Sequence, residues 1–390
     1  MLWFVRLRRT QSDTLATMSE RDAIEELSEL FVFLAENDFA GYSPLYEQIA
    51  RATATDRELL DFIAKAANPN ARRGRIPVLF FAATHDRVLA NSESPIAAVY
   101  RGESQADPMP LLRELLERES AEITTNMRTR SVQTNEVGRS AILSFAFSRA
   151  QRNVTAQTAL FEIGPSAGLN LYFDRFHTDI TRNGEFVAAN GPEESAVRLQ
   201  CELRGPVTPT FLTDRFAPTS RRGLDPNPID VMNDSECRWL RACLWPGIPD
   251  RPERLAAAID VARLSPPQLI AGDAVTDLSS AVASISPADH LVIFSTWALA
   301  YVDAKGRDTV VDTIDRVGSQ RDLDFITFEE PRFTPWVTDF DPAVFSQYEG
   351  EGTPTLLGLR SWRGGNCTTT ALAVAHPHGR WVHWLEENHG

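Results

Sequence analysis

Lysine is almost absent from this chain: Lys65 and Lys305 are the only two, and arginine supplies the other 37 of its 39 basic residues. Fifty-three acidic residues outnumber them and leave a net charge of −14. A dispersed acidic surface gives nucleic acid or an anionic bilayer no electrostatic grip, so neither is expected as a partner. The same bias predicts a protein of a salt-rich cytoplasm. Cysteine is sparse too. Cys201, Cys237, Cys243 and Cys367 show no C-x-x-C spacing, which argues against a disulfide framework or a zinc site and for reduced thiols. No apolar run approaches the roughly 20 residues that cross a bilayer, and no internal repeat or low-complexity tract occurs.

What is present describes a globular chain of 390 residues, 43% hydrophobic and 24% charged, long enough for a sizeable core in one domain or two. Its first residues, MLWFVRLRRTQSDTLAT, place apolar residues before Arg6, Arg8 and Arg9, the reverse of a signal peptide. The acidic character begins at Met18, so translation is expected to start there, with residues 1–17 disordered. Residues 18–152 read as helix throughout. Ser19 and Asp22 cap a helix with Ile24, Leu27, Leu30, Phe31 and Leu34 on one face. Pro44 opens a second helix and Asp56 a third, and Ile76 to Ala90 and Leu111 to Glu119 continue the pattern.

The stretch around which the rest is organised is TALFEIGPSAGLNLYFDRF, residues 158–176. A short apolar run with an acid near its end, two glycines about a serine, and helical spacing from Leu169 to Phe176 predict strand, tight turn and helix. Three readings of the turn stand side by side. Glu162-x-Gly164-x-x-x-Gly168 is the form of a nucleotide-cradling loop at the start of a Rossmann-like sheet. Gly164-x-Ser166-x-Gly168 is the form of a hydrolase nucleophile elbow. An ordinary βα turn carries the same letters. An elbow follows several strands of its sheet, and none is legible before Thr158, so this turn is expected to begin the sheet.

Downstream, strand and helix patterns alternate. Residues 177–217 contain short extended runs, GEFVAA, AVRLQCEL and TPTFLTD, expected as an inserted hairpin or lobe. A segment ending at Asp225, a helix through Trp239, the helix RPERLAAAIDVARL, and the strands PPQLIAGD, HLVIFST and LDFITFEE follow, before the closing runs TLLGLRSW, TTTALAVA and RWVHWLEE. The expected fold is α/β: a Rossmann-like, mostly parallel sheet over 153–390 with antiparallel C-terminal strands, preceded by the all-helical region 18–152.

That order of elements resembles the class I S-adenosylmethionine-dependent methyltransferases, on three local signals: E162-I-G164-P-S-A-G168, R-G-L-D225, and G272-D273-A274. The resemblance implies S-adenosylmethionine as cofactor and a small molecule or protein side chain as methyl acceptor. It implies that Glu162, Gly164, Ser166, Gly168 and Asn170 hold the methionine part, that Asp225 takes the ribose hydroxyls, and that Asp273 and Ala274 lie beside the adenine. Asp225 stands far beyond the usual ~20 residues after such a loop, which requires 177–217 to be looped out; Asp179 is the alternative ribose acid. As turn and cap residues, Asp225 before Pro226 and Asp273 before a helix also have plain structural readings. The whole chain further resembles a narrower bacterial and archaeal family known as a domain of unknown function, on QTNEVGRSA, EIGPSAGLNLYFDRF, RGLDPNPID, WLRACLWP with RPERL, and HPHGRW.

The helix start at QTNEVGRSA leads into the glycine-loop strand, so Gln133, Asn135, Glu136 and Arg139 are expected at the ligand pocket, Asn135 toward the cofactor. The plain alternative is a surface ion pair between Glu136 and Arg139 behind a cap at Thr134 or Asn135. His376 is a candidate general base because its side chain titrates near neutrality. H-P-H-G otherwise reads as a turn, and His376, His378 and His383 lack the partners of a metal site. Tyr301 and Trp297 are candidate substrate contacts or core aromatics. Glu136, Arg139, Tyr301 and His376 form the candidate catalytic set. Two further functions remain open: a serine hydrolase using Ser166 with Asp303 or Asp273 and His376 or His378, and a non-catalytic nucleoside-binding protein.

Overall fold

A computed structural model of the chain describes residues 20–152, 154–209, 217–348 and 350–385. The expectations for residues 1–17, Met18 and the Ser19 cap lie outside these residues, as does most of the run TPTFLTD. Seven α-helices precede the first strand among the described residues: α1 (Glu20–Leu34), α2 (Pro44–Thr55), α3 (Arg57–Ala66), α4 (Ile76–Ala90), α5 (Pro95–Tyr100), α6 (Pro108–Thr129) and α7 (Arg139–Gln151). Their starts follow the sequence. Asp56 caps α3 by accepting the Leu59 N–H at 3.1 Å, and Pro44 and Pro108 occupy first turns where a missing N–H costs nothing. The expected Leu111–Glu119 segment is the first half of α6, which bends at Glu119.

One compact unit is formed by α1–α6, up to Thr134, together with Asn233–Glu253. Its core is aromatic. Phe39, Tyr46, Phe81 and Trp245 pack with ring centroids 4.3–5.4 Å apart, mostly edge to face, each pair adding about 1 kcal/mol to simple burial. Helix α8 (Asp234–Ala242), capped by Asn233, belongs here, with the Trp239 indole donating to the Ser131 carbonyl at 2.9 Å.

The second unit, Asn135–Met232 with Arg254–Gly390, holds α7 and the sheet. Its strands are β1 (Thr158–Ile163), β2 (His177–Arg182), β3 (Glu185–Asn190), β4 (Arg198–Arg204), β5 (Ser220–Asp225), β6 (Gln268–Ala271), β7 (His290–Thr296), β8 (Leu323–Glu329), β9 (Thr355–Arg363), β10 (Asn366–Ala375) and β11 (Trp381–Trp384). They form one sheet in the order β3-β2-β4-β11-β10-β9-β8-β7-β1-β5-β6. The five strands β6-β5-β1-β7-β8 are parallel, and β8, β9, β10 and β11 alternate in direction. Every residue of β1, β7 and β8 is buried, as strands covered on both faces require, which is why they read as unbroken apolar runs. Strand β4 instead alternates, with Leu199, Cys201 and Leu203 inward. The sheet is the α/β, mostly parallel arrangement with antiparallel C-terminal strands that the sequence predicts.

Two local expectations are corrected. The helix expected from Leu169 is a 3-10 segment, Leu169–Arg175, broken at Tyr172, because the chain leaves it for β2 on the distant wing of the sheet instead of crossing to a neighbour. Of the inserted hairpin or lobe expected over 177–217, the hairpin is present as antiparallel β2 and β3, but it is not a separate lobe: β2, β3 and β4 extend the sheet beyond β11, where β4 pairs in parallel with β11.

Connections run from β1 outward to β5 and β6 on one side, and to β7 and β8 on the other. The order therefore reverses between β1 and β7, and beyond the carboxyl ends of such strands an open α/β sheet has its crevice. The helices α9 (Arg251–Arg263), α10 (Ala274–Ala283) and α11 (Ala304–Gly318), with the short α12 (Ala343–Ser346), complete the elements. No described helix is long and apolar enough to cross a membrane.

Candidate functional site

At the carboxyl end of β1 the turn is closed by backbone geometry that its residues dictate. Gly164 has φ +71°, and a Cβ there would lie 2.5 Å from the Ala298 Cβ, so nothing larger than glycine lets β1 and β7 approach at this point. Ser166 also adopts a left-handed conformation, φ +54°, and is held there from both sides. Its N–H donates to Asp225 Oδ2 at 2.8 Å, and its carbonyl accepts the Ile229 N–H at 3.0 Å. Asp225 ends β5 and accepts the Asn227 N–H on Oδ1 at 2.8 Å. A carboxylate has about four acceptor positions, so two are still uncommitted beside the turn.

Beneath this loop lies Glu162, the penultimate residue of β1. Burial raises its pKa well above the usual carboxylate range; the neighbouring Asp225 raises it further and Arg139 opposes. Glu329 ends β8 in the same way, and no expectation from the sequence named it. Its Oε1 accepts three bonds, from Ser295 Oγ at 2.8 Å, Ala298 N–H at 2.9 Å and Leu299 N–H at 3.1 Å. These hold Trp297 in a left-handed conformation, φ +56°, unusual for so bulky a residue. Burial nevertheless pushes the Glu329 pKa up to about 7, against those hydrogen bonds and Arg139. The signal that would have found it is the one used for Glu162: an acid closing an otherwise apolar buried strand.

The segment before α7 meets these strand ends. Asn135 donates from Nδ2 to the Pro165 carbonyl at 3.0 Å. Glu136 and Arg139 are each only 2% exposed, so neither stands at a surface as their spacing suggests. Arg139 donates from Nε to the Pro377 carbonyl and from Nη1 to the Thr296 carbonyl, both at 3.1 Å, tying α7 to β7 and to the H-P-H-G turn. Glu136 Oε1 accepts the Gly138 N–H at 3.0 Å, a turn just ahead of α7, whose N-cap is Gly138 and which no side chain of Thr134 or Asn135 caps. Its Oε2 lies 3.1 Å from His378 Nδ1, and Arg254 is 3.7 Å from Oε1. Gly379 packs directly on Gly138, where a Cβ would lie 1.9 Å from the Gly138 carbonyl.

Other candidates separate by location. Gln133 falls in the helical unit, its N–H 3.4 Å from Cys243 Sγ. Asn170 accepts from Ser140 Oγ at 2.8 Å and is committed to α7. Asp273 caps α10 through the Val275 N–H at 2.7 Å, with Ala274 the first residue of that helix. Asp179 sits in β2 and pairs with His177 at 3.1 Å; six strands lie between β2 and β1, about 33 Å at the usual spacing, which removes it as a ribose acid. Tyr301 follows β7 in a 3-10 turn, and Asp303 caps α11 through the Gly306 N–H. His376 does not suit the role of base. Its Nδ1 accepts the His378 N–H at 3.0 Å, and burial, then the His378 and Arg380 charges, lower its pKa to about 3.

Six buried polar atoms around these strand ends make no hydrogen bond: Asn135 Oδ1, Glu136 Oε2, Glu162 Oε2, Ser166 Oγ, Trp297 Nε1 and Glu329 Oε2. Each costs about 1–3 kcal/mol of desolvation, and such costs are concentrated where a protein has a use for them. Among the described residues no cluster of histidine, cysteine and acidic side chains could hold a metal ion. The Ser166 hydroxyl has no imidazole partner, and no described strand precedes β1.

No curated protein matches the chain. A family model covers residues 28–384, nearly its whole length, and takes in the Glu136 segment, the glycine turn, Asp225 and the H-P-H-G turn alike. The chain therefore belongs to the family described as uncharacterized proteins conserved in bacteria, DUF2332.

Proposed function

We propose that this protein is an S-adenosylmethionine-dependent methyltransferase whose acceptor is a small molecule or a protein side chain. The observation that carries the reading is the pair of buried carboxyl groups at adjoining parallel strand ends, Glu162 on β1 and Asp225 on β5, beneath the Gly164–Gly168 turn and beside the β1/β7 boundary where strand order reverses. Glu162 has an oxygen without a hydrogen bond, and Asp225 has acceptor positions to spare. Such a pair suits a ligand that brings positive charge and hydroxyl donors together. A nucleotide phosphate placed there would be repelled by the Asp225 carboxylate, which favours a nucleoside without phosphate. S-adenosylmethionine brings a sulfonium, an ammonium and two ribose hydroxyls, and when bound it would supply an electrophilic methyl group.

In this reading Asp225 accepts the ribose hydroxyls and Glu162 offsets the cationic part. The backbone of Gly164 to Gly168 lies against the amino-acid moiety, as the absence of side chains at the two glycines allows. Arg139 positions the loop after β7 by its bond to the Thr296 carbonyl, and Trp297 and Tyr301 lie where an acceptor would approach. The four free cysteines, two of them buried, and the acid excess suit a reducing cytoplasm and argue against a nucleic-acid acceptor. A non-catalytic nucleoside binder would use the same contacts and differs only in turnover. The serine-hydrolase alternative has less support, because Ser166 lacks an imidazole partner.

Titration calorimetry with S-adenosylmethionine and S-adenosylhomocysteine tests the proposal. Heat of binding is expected for both and should disappear in Asp225→Ala with the circular dichroism unchanged. No heat at millimolar ligand removes the proposal.

A further inference from the structure

Glu329 holds the loop after β7 with one oxygen and leaves the other idle. Its Oε1 accepts from Ser295 Oγ and from the Ala298 and Leu299 N–H groups, while Oε2, also buried, makes no hydrogen bond. A glutamine would hold the loop as well, so the second oxygen, costly to bury and more so to ionise, has no task in holding the fold. The carboxyl stands at the crevice. Ser295 lies opposite Ile163 of β1 in the sheet register, and Ala298 has its Cβ only 2.5 Å from where a side chain on Gly164 would begin. Arg139 reaches the same place: it donates to the Thr296 carbonyl, and its charge acts on Glu329 and Glu162 alike. That charge does not balance them, since burial keeps both pKa values raised against it. Asn135 Oδ1, Glu162 Oε2 and Glu329 Oε2 are all amide or carboxyl oxygens without a hydrogen bond, so what these strand ends lack is positive charge and hydrogen-bond donors.

We propose that Glu329 Oε2 is the subsite for an ammonium group on the methyl acceptor, which makes the acceptor an amine. The inference rests on reading the site as a methyl-transfer centre and names its substrate class. As the ammonium enters, the Glu329 proton leaves to solvent, and an N–H of the ammonium donates to Oε2 in a charged hydrogen bond. Before transfer the ammonium returns one proton to the Glu329 carboxylate, which leaves a neutral nitrogen with the lone pair that a methyl acceptor needs. Glu329 is closed from solvent, so a ligand reaches it by displacing the Trp297–Tyr301 turn, where Trp297 has a left-handed backbone. The charged groups around Glu329 are Arg139 of α7 and, from β1 two strands away, Glu162. On its own strand end Glu330 pairs with Arg332 at 2.9 Å, and from β9 the uncharged Leu356 stands opposite.

Saturation-transfer NMR on the full chain, with butylammonium, butanol and butyrate as probes, tests the subsite. It is run with and without S-adenosylhomocysteine, beside the calorimetry with S-adenosylmethionine. Butylammonium alone should bind, and at least about tenfold more weakly in Glu329→Gln, a neutral isostere that keeps the loop contacts. The carboxylate is the binding form. Wild-type affinity should therefore fall about tenfold per pH unit below about 7 and level off above it, while the variant shows no such slope. Absence of butylammonium binding, equal binding of butanol, or binding indifferent to Glu329→Gln overturns the subsite, and heat from S-adenosylmethionine would then leave the methyl-transfer reading standing. Butylammonium held in a Glu329-dependent way without that heat keeps the cation subsite and overturns the methyl-transfer reading.

Discussion

Replacing Glu329 by glutamine keeps the shape and one carbonyl acceptor for Ser295 Oγ and the Ala298 and Leu299 N–H groups, while removing the titration. In the folded chain this carboxyl is fully buried and its pKa is raised from 4.5 to about 7. The folded state then binds the proton more tightly than the unfolded state, so the stabilisation is complete below about pH 4.5 and is lost as pH rises through about 7. A shift of that size corresponds to about 3 kcal/mol at most. Glu329→Gln should therefore match the wild type near pH 5 within about 1 kcal/mol and be the more stable protein at pH 8 by up to about 3 kcal/mol. Urea unfolding followed by tryptophan fluorescence at several pH values measures this. Five of the eight tryptophans, Trp297, Trp336, Trp362, Trp381 and Trp384, lie in the unit that holds Glu329, so the signal reports on it. Glu162 shifts in the same direction and remains in both proteins, so the difference between them isolates Glu329. A variant destabilised equally at every pH would show that Glu329 is ionised throughout and refute the argument from burial.

Gly379→Ala adds a Cβ 1.9 Å from the Gly138 carbonyl at a φ of +76° and should cost about 3 kcal/mol, read as a lowered melting temperature; melting with the wild type would mean that the turn is not packed on Gly138. With a net charge of −14, the melting temperature should climb with potassium chloride as self-repulsion is screened. Greatest stability without salt would contradict the placement in a salt-rich cytoplasm.

The sequence by itself determined the elements whose signal is local. First-turn prolines at Pro44 and Pro77, the Asp56 cap and the one-faced apolar spacing of α1 made these helices legible, and continuous apolar runs marked β1, β7 and β8 because both of their faces are covered. The glycine turn announced itself by residue type, since φ values near +70° leave few alternatives to glycine. Tertiary structure alone decided what those elements meet. Local spacing allowed Glu136 and Arg139 to pair at a surface, but folding brings residue 377 to Arg139 across 238 positions of chain and buries both side chains against a turn that no pattern connects to them. It also chose between Asp225 and Asp179, which turn chemistry could not rank: strand order, set by which edges pair, puts one beside β1 and the other beyond six intervening strands. Glu329 gained its buried, half-satisfied state in the same way, from the loop that β7 sends across it. Periodicity records which side of an element faces inward, while the identity of the neighbour depends on pairing and packing between segments far apart in sequence.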